Sequence, residues 1–213
     1  MSRILIIGGH GKIALLLAPL LVERGDDVSS VIRNPDHTAD VAATGATPIV
    51  ADVQQLDEAG LADVIAGHDT VIWSAGAGGG SPERTYAVDR DAAIRSMDAA
   101  ATAGARRYVM VSYFGAGRDH GVPPENPFFA YAEAKAAADE HLEATALEWT
   151  ILAPSTLTLD PPTGRIDVAA LESESVGRAD VALVIAAALN TSATVGRTIR
   201  FNSGDVSIAD ALA

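Results

Sequence analysis

The sequence predicts a doubly wound parallel α/β fold in three αβα layers, and three observations carry that expectation. The chain opens with an apolar run, Ile4 to Ile7, that breaks into a glycine turn and then an Ala/Leu-rich helical segment. Strand-like and helical segments go on alternating along the chain, the pattern of a parallel sheet covered on both faces. The strand segments are short and largely apolar, as strands buried on both sides require.

The elements follow in order. After the first strand, turn and helix, Gly25 stops the helix and Val28 to Ile32 supplies a β-branched second strand, with Arg33-Asn34-Pro35 as its exit. A short helix over Asp36 to Ala43 leads through Gly45 to a third strand, Thr47 to Ala51. A helix around Leu56 to Ile65, a strand Thr70 to Ala75 and a glycine run, Gly76 to Gly80, come next. One long Ala-rich helix is expected from Pro82 to Ala103, then a buried strand, Tyr108 to Ser112, and a Gly- and Pro-rich loop from Phe114 to Phe129. A helix over Tyr131 to Thr145 and a strand from Trp149 to Leu152, ending at Pro154, precede an irregular stretch, residues 155 to 176. A helix from Arg178 to Leu189, a strand near Thr198 to Phe201 and a short terminal helix complete the pattern.

The 213 residues fit a single domain, 1–213, in which residues 155–176 and the C-terminal elements contribute a small substrate-side lobe. Hydrophobic content of 48% and a mean hydropathy of +0.20 exclude a disordered chain. No apolar run approaches the ~18 residues a membrane span needs, and no basic and apolar leader opens the sequence. A cytoplasmic location without membrane association is the expectation. With no cysteine, the chain has no disulfide framework, thiolate nucleophile or Cys-ligated metal. His10, His37, His68, His120 and His141 have no paired spacing, so no metal is expected. A net charge of −13 argues against nucleic acid as a partner, leaving a small-molecule substrate, and nothing in the residues sets an oligomeric state. Trp73 and Trp149 fall in strands, where core packing accounts for them, and Val111-Ser112-Tyr113 lacks the glycines of a nucleophile elbow.

The glycine turn carries the first chemistry. Gly9-x-Gly11-x-x-Ala14 fits the dinucleotide-binding fingerprint, and Gly8-x-x-Gly11-x-x-Ala14 fits a second accepted spacing. Each glycine removes a Cβ that would keep a pyrophosphate from the helix N-terminus, with His10, Lys12 and Ile13 completing the loop. In an open α/β sheet the ligand lies beyond the carboxyl ends of the strands. Those positions are Arg33 and Asn34 after the second strand, Asp52 and Val53 after the third, and Ser74, Ala75 and Gly76 after the fourth. An acidic residue at the second position would favour NAD; this chain has Arg33, whose planar fork suits a 2′-phosphate, so NADP is expected over NAD. The chain has two lysines, and both, Lys12 and Lys135, fall in candidate motifs.

Tyr131-Ala132-Glu133-Ala134-Lys135 sets a phenol and an ammonium at i and i+4, neighbours on a helix surface. The ammonium would stabilise the phenolate for acid/base work and hold ribose hydroxyls, and Ser112 would bond the reacting oxygen. Tyr131 as an aromatic packed on Phe128 or Phe129 is the plainer alternative.

Taken together, the glycine turn, Val31 to Pro35, Asp52-Val53, Val111-Ser112, Tyr131 with Lys135, Leu152-Ala153-Pro154 and Arg178 to Ala182 resemble the NmrA-like, atypical branch of the short-chain dehydrogenases/reductases. The resemblance implies a Rossmann fold and places Pro154 and Ser155 to Leu157, with Thr156 among them, beside the nicotinamide. It implies an NADP-dependent oxidoreductase acting between a small carbonyl and an alcohol, with Tyr131 as general acid/base. A non-catalytic NADP sensor, an epimerase/dehydratase, and a flavin or quinone reductase on the same fold remain alternatives. The chain departs from the superfamily in carrying Asp89 where the relay Asn aligns, Ala153 before the late proline, and Tyr113 after Ser112.

Overall fold

In the first strand, β1 (Arg3–Ile7), Ile4 and Ile6 enter one buried cluster while Leu5 and Ile7 enter another. Successive side chains of a strand point to opposite faces, so an unbroken apolar run here fills two cores at once. The computed structural model describes residues 1–78 and 81–213. From β1 the chain passes through α1 (Lys12–Glu23), β2 (Asp27–Ile32), a 3₁₀ turn at Pro35–His37, α2 (Thr38–Ala43), β3 (Thr47–Val50), α3 (Glu58–Ile65) and β4 (Thr70–Trp73). It continues through α4 (Pro82–Thr85), a π-helical segment (Tyr86–Ala92), α5 (Ala93–Ala103), β5 (Arg107–Val111), α6 (Phe129–Glu143) and β6 (Glu148–Pro154). The remaining elements are β7 (Thr156–Thr158), β8 (Arg165–Asp167), β9 (Ser175–Gly177), α7 (Arg178–Ala188), a 3₁₀ turn at Ser192–Thr194, β10 (Arg197–Ser203), β11 (Val206–Ser207) and α8 (Ile208–Ala211).

The main sheet runs β3-β2-β1-β4-β5-β6-β10-β8-β11. From β3 to β10 every pairing is parallel, and the strand order reverses between β1 and β4. That reversal opens the crevice in which a doubly wound sheet binds its ligand. One face is covered by α1 and α7, through Leu17, Leu21, Val181 and Ile185, and the other by α3, α5 and α6, through Leu61, Ile65, Met97 and Leu142. Trp73 is fully buried in the second cluster and Trp149 packs at its border.

Two expectations are corrected. Residues 155–176 are not irregular: β7 pairs with β9, and β8 pairs antiparallel with β10 and β11, giving the parallel sheet a mixed edge. The helix expected over Pro82 to Ala103 is interrupted by the π-helical segment, a feature frequent at functional sites. Gly79 and Gly80 of the expected glycine run lie outside the described residues.

Candidate functional site

The loop between β1 and α1 has two positions, Gly8 and Gly9, where a side chain does not fit. Gly8 has φ +93°, and a Cβ there would lie 2.6 Å from the Ala75 backbone. A Cβ on Gly9 would lie 2.5 Å from Ser30 Cβ, and one on Gly11 3.1 Å from the Gly8 carbonyl oxygen. Gly9 is buried against β2, Gly11 is the exposed N-cap of α1, and Ala14 is fully buried under the helix. The loop therefore seats its backbone against the ends of β2 and β4 and leaves the first amides of α1 without side-chain caps. Such an N-terminus favours negative charge, and the cradle fits a pyrophosphate.

A cavity of about 250 Å³ extends from this loop over the ends of β1 to β4. Its lining includes Gly8, His10, Gly11, Arg33, Asn34, Asp52, Val53, Ser74, Ala75 and Gly76. Asn34 accepts a hydrogen bond from the Asp36 amide at 3.1 Å, and Asp52 accepts one from Gln54 at 3.1 Å, so both side chains also shape their turns. Lys12 is exposed on the first turn of α1 and does not line this cavity.

The sequence reading missed two lining residues here, the imidazole of His37 and the guanidinium of Arg84. The His37 ring stacks on His10 with centroids 3.5 Å apart, and His10 Nε2 lies 2.9 Å from Asp40. Arg84 arrives from α4, on the far side of the glycine run, and no local pattern could have placed it beside Arg33.

A second cavity, of about 450 Å³, shares Ser74, Ala75 and Gly76 with the first. Ile13, Asp89, Val111, Ser112, Phe128, Tyr131 and Leu157 border it. Of the residues the resemblance places beside the nicotinamide, Leu157 borders this cavity, whereas Pro154 is buried within β6 and Thr156 is exposed on β7, neither lining it. Tyr131 packs on Phe128 and Tyr113, with centroids 5.1 and 5.5 Å away, as the plainer alternative expects for Phe128, while also bordering the cavity. Phe129 pairs instead with His120, at 5.7 Å.

Beneath this cavity lies a buried charged cluster. Lys135 is 1% exposed and its ammonium donates to the Val111 carbonyl at 2.9 Å. Asp139, one turn further along α6, accepts the hydroxyl proton of Ser112 through Oδ2, while its buried Oδ1 has no hydrogen-bond partner among the described residues. Asp89 is 1% exposed and accepts the Ala77 amide at 3.0 Å; a Cβ on Gly76 would lie 3.0 Å from its other oxygen. Asp89 thus fastens the segment after β4 to the π-helical turn. Asp139 was overlooked, although Tyr131, Lys135 and Asp139 form a run of i+4 steps that a helical face would reveal.

The electrostatics differ from the expectation. Burial pushes the Tyr131 phenol up, and the Asp89 and Asp139 carboxylates push it further, so the phenolate is disfavoured rather than stabilised. Burial lowers Lys135 against the opposing pull of Asp139 and Asp89, and raises both carboxylates. Among the described residues no cluster of His, Cys, Asp or Glu could hold a metal, and no helix is long and apolar enough to cross a membrane.

Comparison with known proteins places the chain among its relatives. The chain is 33% identical to a Bacillus subtilis protein, "Uncharacterized sugar epimerase YhfK", over 99% of its own length and 98% of the relative's. Among solved structures, a Bacillus halodurans protein provisionally described as an NAD-dependent epimerase/dehydratase superposes with a TM-score of 0.91 at 28% identity, covering 100% of this chain and 99% of the other. The oxidoreductase ylbE from Lactococcus lactis superposes with a TM-score of 0.88 at 27% identity, covering 99% and 94%. The profile of the NAD(P)H-binding family matches residues 8–192, which span the glycine cradle, both cavities and the buried cluster, and the chain belongs to that family, in its NmrA-like, atypical short-chain dehydrogenase/reductase form.

Proposed function

We propose that this protein is an NADP-dependent oxidoreductase that interconverts a small carbonyl compound and its alcohol, with Tyr131 as the proton donor. The observation that carries the reading is the seam at Ser74-Ala75-Gly76, where a cavity rimmed by the glycine cradle meets one that contains Tyr131 and Ser112. When bound, the nicotinamide cofactor supplies or accepts the two electrons and the hydrogen of the carbonyl–alcohol interconversion. The chain's residues do the rest. Gly8, Gly9 and Gly11 would admit the pyrophosphate, and Arg33, with His37 and Arg84 nearby, favours the extra phosphate of NADP. Tyr131 stays protonated and can give its proton to a carbonyl oxygen. Ser112, its own proton committed to Asp139, can accept a hydrogen bond from the hydroxyl of the alcohol.

Lys135 in this reading is a counter-charge that keeps Asp89 and Asp139 tolerable below the site. Ser155 to Leu157 and the following strands, joined by the C-terminal elements, form a substrate-side lobe of the same domain. The chain acts on a small molecule in the cytoplasm.

Titration with NADPH and NADH tests the cofactor. NADPH should bind more tightly, and Arg33→Ala should remove the preference by about tenfold, or ~1.4 kcal/mol. Equal binding of both by the wild type would refute the NADP assignment. The names of two relatives favour a second reading, an epimerase that returns its cofactor unchanged. Net oxidation of NADPH in the presence of a carbonyl panel supports the first reading; isomer interconversion with no net change in the nicotinamide supports the second. Turnover of a flavin or quinone unaffected by Tyr131→Phe would replace both with a reductase that needs no phenol, and NADPH binding without any turnover would leave a sensor.

A further inference from the structure

We infer that the compartment beside Tyr131 selects an uncharged carbonyl compound with an apolar body and turns away substrates that carry a phosphate or carboxylate. The inference rests on the oxidoreductase reading above and names the substrate class of that site.

Three observations point the same way. First, the walls of the second cavity are largely apolar, formed by Ile13, Pro82, Val111, Pro127, Phe128 and Leu157. Second, no Arg or Lys side chain borders it among the described residues, and its one charged lining residue is Asp89, 1% exposed. The cations lie at the other end, where Arg33 and Arg84 border the first cavity. An anionic group needs compensating donors when it leaves water, from Arg or Lys side chains or from the amides of a helix N-terminus. Third, Tyr131 reports the local potential. The Asp89 and Asp139 carboxylates both oppose a negative charge on its oxygen, and they would oppose one on a substrate in the same place.

The first turn of α6 is the competing element, since Ala130 also borders the cavity and helix N-termini attract anions. Its effect falls off within a turn, and the charged residue bordering the same cavity is the Asp89 carboxylate. A nucleotide sugar would therefore bring a diphosphate into a space with the wrong sign, whereas a neutral ring or chain would meet matching walls and neutral hydroxyl donors, Tyr131 among them.

The test uses the purified wild-type protein saturated with NADPH and ligand-observed NMR. The probes are 4-acetylbenzamide and 4-acetylbenzoate, near-isosteres that differ in charge, together with UDP-glucose. The expected result is binding of the amide at least tenfold tighter than the benzoate, no binding of UDP-glucose, and a smaller amide-to-benzoate ratio in Leu157→Lys, which adds a cation to the wall. Benzoate or UDP-glucose bound as tightly as the amide would overturn the inference while leaving the oxidoreductase reading intact, and so would an NADPH-loaded protein that binds none of the three. Failure to bind NADPH itself overturns the reading and the inference with it.

Discussion

The Ser112 hydroxyl donates its proton to Asp139, a residue 8% exposed whose second oxygen is unpartnered among the described residues. A serine at the end of the fifth parallel strand is thereby turned from a donor into an acceptor toward the cavity. Removing it should be costly for a reason unrelated to catalysis, because Asp139 would lose its hydroxyl partner while still buried.

Ser112→Ala is expected to lower stability by about 1–3 kcal/mol, the usual penalty for stranding a buried polar group. In an Asp139→Asn background the same change should cost distinctly less, since a neutral amide is cheaper to leave unpaired. A double-mutant cycle by urea unfolding measures the difference. Equal costs in both backgrounds would show that the two side chains are not coupled.

Gly8 and Gly9 should respond differently to alanine. The Gly9 Cβ would collide with Ser30 Cβ at 2.5 Å, so Gly9→Ala should cost about 1–3 kcal/mol by overpacking and weaken NADPH binding. Ser30→Gly removes that atom, although Ser30 backbone atoms at 3.1 and 3.2 Å still press, so rescue should be partial. Gly8→Ala fails through its φ of +93° and the Ala75 backbone, and no side-chain trimming should rescue it. Thermal unfolding and NADPH titration of the four variants check the contrast.

The first of these glycine roles was legible in the sequence, because a strand, a turn and a helix in series leave the turn little freedom. So were the parallel strands, whose apolar runs state that both faces are covered. The strands β7, β8 and β9 were not: each is three residues long and exists only through pairing with distant chain. Tyr131 and Lys135 share a helix and could be read together, but the sign of the field on the phenol depends on Asp89, which comes from another element. His37 and Arg84 meet Arg33 only after the crevice has formed.

The pH dependence of carbonyl reduction follows from the Tyr131 environment. A phenol pushed upward keeps its acid form beyond its ordinary range, so the rate should stay level through neutrality and past pH ~10. Asp89→Asn removes one of the charges that oppose the phenolate. The acid form would then be lost at lower pH, and the alkaline limb should move down. Tyr131→Phe should lower kcat by about 10²–10⁴-fold with NADPH affinity unchanged. Steady-state rates across pH for the three proteins decide it, and an unmoved limb in Asp89→Asn would contradict the electrostatic account.

Asp180, in the first turn of α7, is 1% exposed and accepts the amides of Thr163 and Gly164 at 2.9 and 2.8 Å. Two residues earlier, Arg178 donates to the carbonyls of Leu157 and Thr158, each at 3.0 Å. The helix start thus holds both ends of the segment that carries Leu157 to the wall of the second cavity, while the glycine cradle lies on different elements. Asp180→Ala strands two amides and should loosen this wall alone. The expected outcome is a raised KM for the carbonyl substrate, a fall in stability of about 1–3 kcal/mol per stranded group, and NADPH affinity within twofold of wild type. Hydrogen exchange should show faster opening at residues 157–164 with protection of β1 and α1 retained. A parallel loss of NADPH affinity would mean that the two cavities do not behave as separable compartments.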